Sequence, residues 1–218
     1  MSDQVLRVEL LDTAREMNAI GINQGTSGNV SVRSGDGFLI TPSGLPYDES
    51  TPDDMVPMTL DADWSGDRKP SSEWRFHLDV YKARDDVQAV VHVHSTFATT
   101  IACLGKEIPA FHYMVAVAGG KTIRCAPYHT FGTQELSDVT VDALVGRKAC
   151  LLANHGMIAT GPNLKKALAM AVEVEKLCEM YWRTLQLGGG PVLDDAEMDI
   201  ILSKFQSYGQ FAKKPANQ

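Results

Sequence analysis

The chain has 218 residues, 44% of them hydrophobic, enough to bury a sizeable core, and its length fits one domain spanning residues 1–218. A formal net charge of -7 argues against nucleic-acid and membrane partners, which are bound through clustered Lys and Arg, but leaves room for a small anionic substrate held by backbone N–H groups. No apolar run is long enough to span a bilayer, no signal-peptide pattern opens the chain, and Cys103, Cys125, Cys150 and Cys178 form no C-x-x-C pair, so a cytoplasmic protein with reduced thiols is expected.

Apolar residues at Leu6, Leu10, Ala14 and Met17 recur at a helical period, and Gly21 stands where a glycine would close that helix. Asn29-Val30-Ser31-Val32-Arg33 and Phe38-Leu39-Ile40-Thr41, joined by Gly35-Asp36-Gly37, read as two paired strands. Pro42 to Asp54 and Ser65 to Pro70 are turn-rich loops on either side of a short strand near Met55 to Leu60. Ser71 or Ser72 is expected to cap a helix with an apolar face of Trp74, Leu78 and Tyr81, and the β-branched run from Val87 to His94 reads as a buried strand. A helix over Glu135 to Val145, a strand over Ala149 to Ala153, a long helix from Leu164 to about Leu187 and a last helix from Asp194 to about Phe205 complete the pattern. Strands joined by short turns, with helices interspersed, predict a mixed sheet covered on both faces.

His92-Val93-His94 is the sharpest chemical feature. The two-residue period of a strand sends both imidazoles to one face, their bases roughly 6.5 to 7 Å apart, so the two rings can converge on one ion. Zinc takes three or four N, O or S ligands, so this pair needs others. His155, in Asn154-His155-Gly156 after an apolar strand, reads equally as a ligand or a plain turn histidine. Glu73, just after Ser71-Ser72, reads equally as a ligand or as a carboxylate complementing a helix N-terminus. Three loops rich in glycine and hydroxyls, Gly25 to Asn29, Thr41 to Gly44 and Pro70 to Ser72, have the means to hold a phosphate without lysine if the fold gathers them.

The ordered motifs SGNVS (Ser27 to Ser31), TPSG (Thr41 to Gly44), PSSEWRFH (Pro70 to His77), HVHS (His92 to Ser95), FHYMVAVAGG (Phe111 to Gly120), APYHTFGT (Ala126 to Thr133) and NHG (Asn154 to Gly156) cover nearly the whole chain. Together they resemble the class II aldolases of the L-fuculose-1-phosphate aldolase type. The resemblance implies an α/β fold, a three-layer α-β-α sandwich with a mixed, mostly antiparallel central sheet, assembled as a homotetramer with active sites between neighbouring subunits. It implies one Zn2+ per subunit held by His92, His94 and His155, with Glu73 as a fourth ligand that swings away to act as acid and base. It places Gly28, Asn29, Ser43, Gly44, Ser71 and Ser72 around the substrate phosphate, and has Tyr113 supplied across the interface. Without the resemblance, Tyr113 reads as an aromatic packed in an apolar strand. Phe131, with Phe205 and Tyr208, matches aromatic positions at the aldehyde end. Ser43 stands where many relatives carry threonine, and the hydroxyl is kept.

The expected reaction is retro-aldol cleavage of a phosphorylated sugar, L-fuculose 1-phosphate before others, to dihydroxyacetone phosphate and L-lactaldehyde. Tyr113 takes the C4 hydroxyl proton and Glu73 returns a proton to the carbon left behind. Aldolases for 5-deoxyribulose 1-phosphate or methylthioribulose 1-phosphate share the pattern. Further readings are a 4-epimerase, which resembles this scaffold but has aspartate at the position of Glu73, a dehydratase that keeps the metal, and a non-catalytic adducin-like domain that lacks the complete ligand set.

Overall fold

A computed structural model describes residues 3–207. Helix α1 (Asp3–Ala19) buries Leu10, Leu11, Ala14 and Met17, the stripe visible in the sequence, and ends before Gly21, whose φ of 78° suits a residue without a Cβ. Strands β1 (Asn29–Ser34) and β2 (Gly37–Ile40) pair antiparallel, with Ser34 opposite Gly37. Strand β3 (Val56–Thr59), helix α2 (Trp74–Ala83), strand β4 (Ala89–Val93) and helix α3 (Thr96–Ala102) follow. Then come strand β5 (Cys125–Ala126), helix α4 (Gln134–Ala143), strands β6 (Ala149–Leu152) and β7 (Gly156–Gly161), and helices α5 (Leu164–Gln186) and α6 (Asp195–Ser207).

The strands form one sheet in the order β3-β2-β1-β4-β7-β6-β5, with every pair antiparallel except β5 with β6. Alternation along β4 divides the core into two layers. Ala89, Val91 and Val93 join the apolar layer formed with α1, α3 and α5, while Val90 joins Phe76, Leu78 and Tyr81 of α2 and Leu136 of α4 on the other face. The expected α/β sandwich with a mixed, mostly antiparallel sheet is what the chain forms. His92 has the parity of Val90, and its ring meets Phe76 edge-on at 5.3 Å, so the central strand carries this imidazole into the α2 side of the sheet. Among the described residues no helix is long and apolar enough to cross a membrane.

Several expectations need correction. Helix α2 begins at Trp74, with Glu73 and not Ser71 or Ser72 at its N-cap position. The reason is that the two serine-bearing loops pair with each other: Ser71 N–H donates to Thr41 O at 3.0 Å and Ser43 N–H donates to Lys69 O at 3.0 Å. The Ser71 hydroxyl accepts from Glu73 N–H at 3.3 Å. Tyr113 starts a 3-10 segment, Tyr113–Ala118, and is not in a strand.

Three elements went unread. β7 is buried on both faces, so it shows no alternation. β5 has only two residues. α3, with Thr96, Thr99, Thr100 and Ile101 in seven residues, has weak helix propensity of its own and is held by α5. The Glu175 carboxylate accepts from Ser95 Oγ at 2.6 Å, Phe97 N at 2.9 Å and Ala98 N at 2.8 Å, fixing the first turn of α3 directly after His94.

Candidate metal centre

His92, His94, His155 and Glu73 each offer a ligand atom, and these atoms lie within 4.8 Å of one another. The three imidazole centroids stand 4.8 Å apart in every pairing, at interplanar angles of 70° to 78°. His92 Nε2 lies 2.9 Å from His94 Nε2 and 3.2 Å from Glu73 Oε2, and His155 Nε2 lies 3.0 Å from Glu73 Oε1. The donor set fits a divalent cation. His92 Nδ1 lies 2.9 Å from the Met157 carbonyl, which has no proton to give, so the proton is on Nδ1 and the Nε2 lone pair turns inward. Lone pairs and a buried carboxylate converging at these distances repel one another unless a positive charge lies among them.

The local sequence explains how the ligands are aimed. β4 ends at Val93, and His94 follows it. His155 sits in the tight connection between β6 and β7, where Asn154 adopts φ 55°, a left-handed conformation that asparagine tolerates. Gly156 is needed because a Cβ there would lie 2.5 Å from the Val93 carbonyl oxygen and 2.8 Å from His94 Cδ2. Gly28 likewise packs on the His92 carbonyl, where a Cβ would approach to 2.5 Å. The substitution Gly156→Ala is therefore expected to push β7 from β4 at the ligand end. Destabilisation of about 1–3 kcal/mol in denaturant unfolding, together with weaker zinc binding by titration, is the expected result.

Burial by itself raises the Glu73 carboxyl, but the adjacent His92 charge and hydrogen bonds from His155 and His92 outweigh it and hold the group ionised well below the usual carboxylate range. Burial, then the neighbouring His92 and His155, pushes the His94 imidazole down to about 4. His77, fully buried on α2, is pushed down to about 3 by burial first and by His92 second. A histidine whose folded value is depressed stabilises the protein fully above its unfolded value near 6.5, and that contribution is lost as pH falls toward 3. Below pH 6 the unfolding free energy of the wild type should thus fall relative to His77→Gln by about 1.4 kcal/mol per pH unit, read from paired denaturant titrations.

A cavity of ≈ 320 Å³ opens beside the centre, lined by Thr26, Ser27, Ser72, Glu73, His94, Tyr128, His129, Phe131, Asn154 and His155. Of the predicted residues it gathers Ser72 and Phe131 with the ligands. Gly28 and Asn29 are buried behind the centre, Ser71 is buried beside Glu73, and Ser43 and Gly44 are exposed on the adjoining loop. Tyr113, 50% exposed, lines a different cavity of ≈ 670 Å³ with Phe111, Met114 and Phe205, so this chain does not deliver it to its own centre. Tyr208 lies outside the described residues. Tyr128 and His129 were missed. They follow Pro127 in an irregular segment whose only sequence signal was the APYHTFGT motif, and nothing local aims them at the centre.

Fold and site together define an α/β protein built to hold a divalent cation beside a polar cavity. The family described as Class II Aldolase and Adducin N-terminal domain matches residues 8–182. The chain is 56% identical, over 97% of its length and 96% of the relative's, to a 5-methylthioribulose-1-phosphate/5-deoxyribulose-1-phosphate aldolase of Rhodospirillum rubrum. It is 49% identical to the L-fuculose phosphate aldolase of Escherichia coli K12, over 96% and 98% of the two chains. A solved L-fuculose 1-phosphate aldolase superposes with a TM-score of 0.91 at 40% identity, covering 94% of this chain and 98% of its own. The chain belongs to the class II aldolase family, and within it to the fuculose-type aldolases, which are aldehyde-lyases.

Proposed function

We propose that the protein is a zinc-dependent aldolase that cleaves a ketose 1-phosphate to dihydroxyacetone phosphate and a short aldehyde. The convergence of His92, His94, His155 and Glu73 within 4.8 Å beside an open cavity carries this reading. The chemistry supplied by zinc bound there is Lewis acidity, an electron sink for breaking the C3–C4 bond that is worth several kcal/mol. Glu73 returns a proton to C3. While it faces His92 and His155 its carboxyl is too acidic to carry a proton near neutrality, so the step requires it to turn away from them.

The phosphate binds where the loops bearing Gly28, Ser43, Gly44, Ser71 and Ser72 meet, on backbone N–H groups and hydroxyls. Phe131, which lines the cavity and is 63% exposed, gives an apolar wall for the aldehyde end. Tyr113, half-exposed and remote from its own chain's centre, takes the C4 hydroxyl proton in a neighbouring subunit, which makes a homotetramer part of the proposal. The complete ligand set speaks against a non-catalytic adducin-like role.

L-Fuculose 1-phosphate is one substrate reading, supported by the 0.91 structural match. The second, 5-deoxyribulose 1-phosphate or methylthioribulose 1-phosphate, is supported by the relative that is 56% identical. An apolar wall separates methyl from methylthio weakly, by about 1 to 3 kcal/mol per methylene-sized group. The test is incubation with fuculose, rhamnulose, 5-deoxyribulose and methylthioribulose 1-phosphates, with dihydroxyacetone phosphate assayed. Release from at least one is expected. Release from none sinks the aldolase reading, and an isomer or a dehydrated product assigns the protein to the epimerase or dehydratase chemistry instead.

A further inference from the structure

Between α2 and β1, inside a layer that is otherwise apolar, two rows of polar side chains face each other. Glu73, His77 and Tyr81 recur every fourth residue on one side of α2 and its cap, and Asn29, Ser31 and Arg33 recur every second residue on one face of β1. They are bonded in series. Asn29 Nδ2 donates to Glu73 Oε2 at 2.9 Å, His77 Nε2 lies 2.5 Å from Asn29 Oδ1, His77 Nδ1 lies 2.7 Å from Ser31 Oγ, and Ser31 Oγ lies 2.8 Å from the Tyr81 hydroxyl. Arg33 closes the row, its guanidinium 4.9 Å from the Tyr81 ring centre.

One assignment of protons satisfies the series. The Glu73 carboxylate accepts only, so the Asn29 amide points its N–H groups there and its oxygen toward His77. That oxygen needs a donor, so His77 carries its proton on Nε2. Nδ1 is then an acceptor, Ser31 donates to it, and Tyr81 donates to Ser31. The depressed basicity of the buried imidazole agrees with a neutral ring in this single tautomer.

We propose that His77 is a positioning residue for the reaction, holding the Glu73 carboxylate in its inward place through Asn29 and thereby setting both its contribution to metal affinity and its return after proton transfer. The proposal rests on the aldolase reading for its effect on turnover but not for its effect on the metal. Asn29 commits one amide N–H to Glu73 and keeps a second for a ligand, which places the carboxylate and the phosphate loop on one side chain. The opposing explanation is that buried polar groups are paired because burial demands it. On that view the series serves stability alone.

The experiment compares His77→Leu, His77→Gln, Glu73→Gln and the double variant His77→Leu/Glu73→Gln. Zn2+ affinity is measured on apoprotein against a chromophoric chelator, and kcat and KM with whichever ketose 1-phosphate the wild type cleaves. His77→Leu is expected to weaken Zn2+ binding and to lower kcat by about 10- to 100-fold each, with KM little changed, and His77→Gln, which keeps a donor facing Asn29, to restore most of both. In the Glu73→Gln background the same change should cost less than about twofold, the signature of two residues acting as a unit. Equal losses in both backgrounds, no rescue by Gln, or a folded His77→Leu with wild-type Zn2+ affinity and kcat overturns the proposal. If His77→Leu does not fold, Ser31→Ala, which removes the donor to Nδ1, enters the same cycle with the same criteria. A wild type that cleaves no substrate in the panel overturns the functional reading, and the Zn2+ cycle still decides the role of His77.

Discussion

Chelating the divalent cation is expected to lower ketose 1-phosphate cleavage by about a thousandfold or more, and adding zinc back to restore it. Without a cation at the centre, the electron pair released at C3–C4 has no acceptor, because the residues converging there are imidazoles and a carboxylate rather than a lysine amine able to form a Schiff base. His92→Ala should give the same loss without recovery. His92 is the fully buried ligand, its Nδ1 anchored on the Met157 carbonyl, and its removal leaves the buried Glu73 carboxylate short of a partner. Stability of the metal-free variant should fall by about 3 kcal/mol, read by denaturant unfolding beside zinc titration. A chelated enzyme that keeps its rate would sink the metal-dependent reading.

Glu73→Gln is expected to retain zinc and to lose turnover by about 10²- to 10⁴-fold. Three imidazoles suffice for a catalytic zinc site, and glutamine preserves the volume of a side chain that is only 5% exposed. What glutamine lacks is a transferable proton. The matching readout is the exchange of the C3 hydrogen of dihydroxyacetone phosphate with deuterated solvent, which should slow in parallel with cleavage. Near-full turnover with zinc in place would end the assignment of proton return to Glu73.

Legibility differed by residue for physical reasons. The α1 stripe of Leu10, Ala14 and Met17, the β1–β2 pairing and the long run of α5 were readable because each is a periodic pattern imposed by one helix or strand facing one core. His92 and His94 were readable as a pair because a strand's two-residue period aims alternate side chains together. β7 and α3 were not: the first is apolar on both faces, and the second is held by Glu175, which lies 80 residues beyond Ser95. Tyr113 was misread without the family pattern because an apolar run of aromatic and β-branched residues suits a strand, whereas the chain turns there in a 3-10 segment.

The sequence by itself determined the class of fold, the residue types available for a metal and, through seven ordered motifs, the family. Only the tertiary structure brought His155 from the β6–β7 turn and Glu73 from the N-cap of α2 to within about 3 Å of each other, at 3.0 Å between Nε2 and Oε1. Spacing along the chain fixes which residues share a face of one element, but contact between elements depends on how the sheet orders its strands. Here β4 lies between β1 and β7, so that Asn29, His92 and the β6–β7 turn carrying His155 converge at one end of three neighbouring strands, with Glu73 above them.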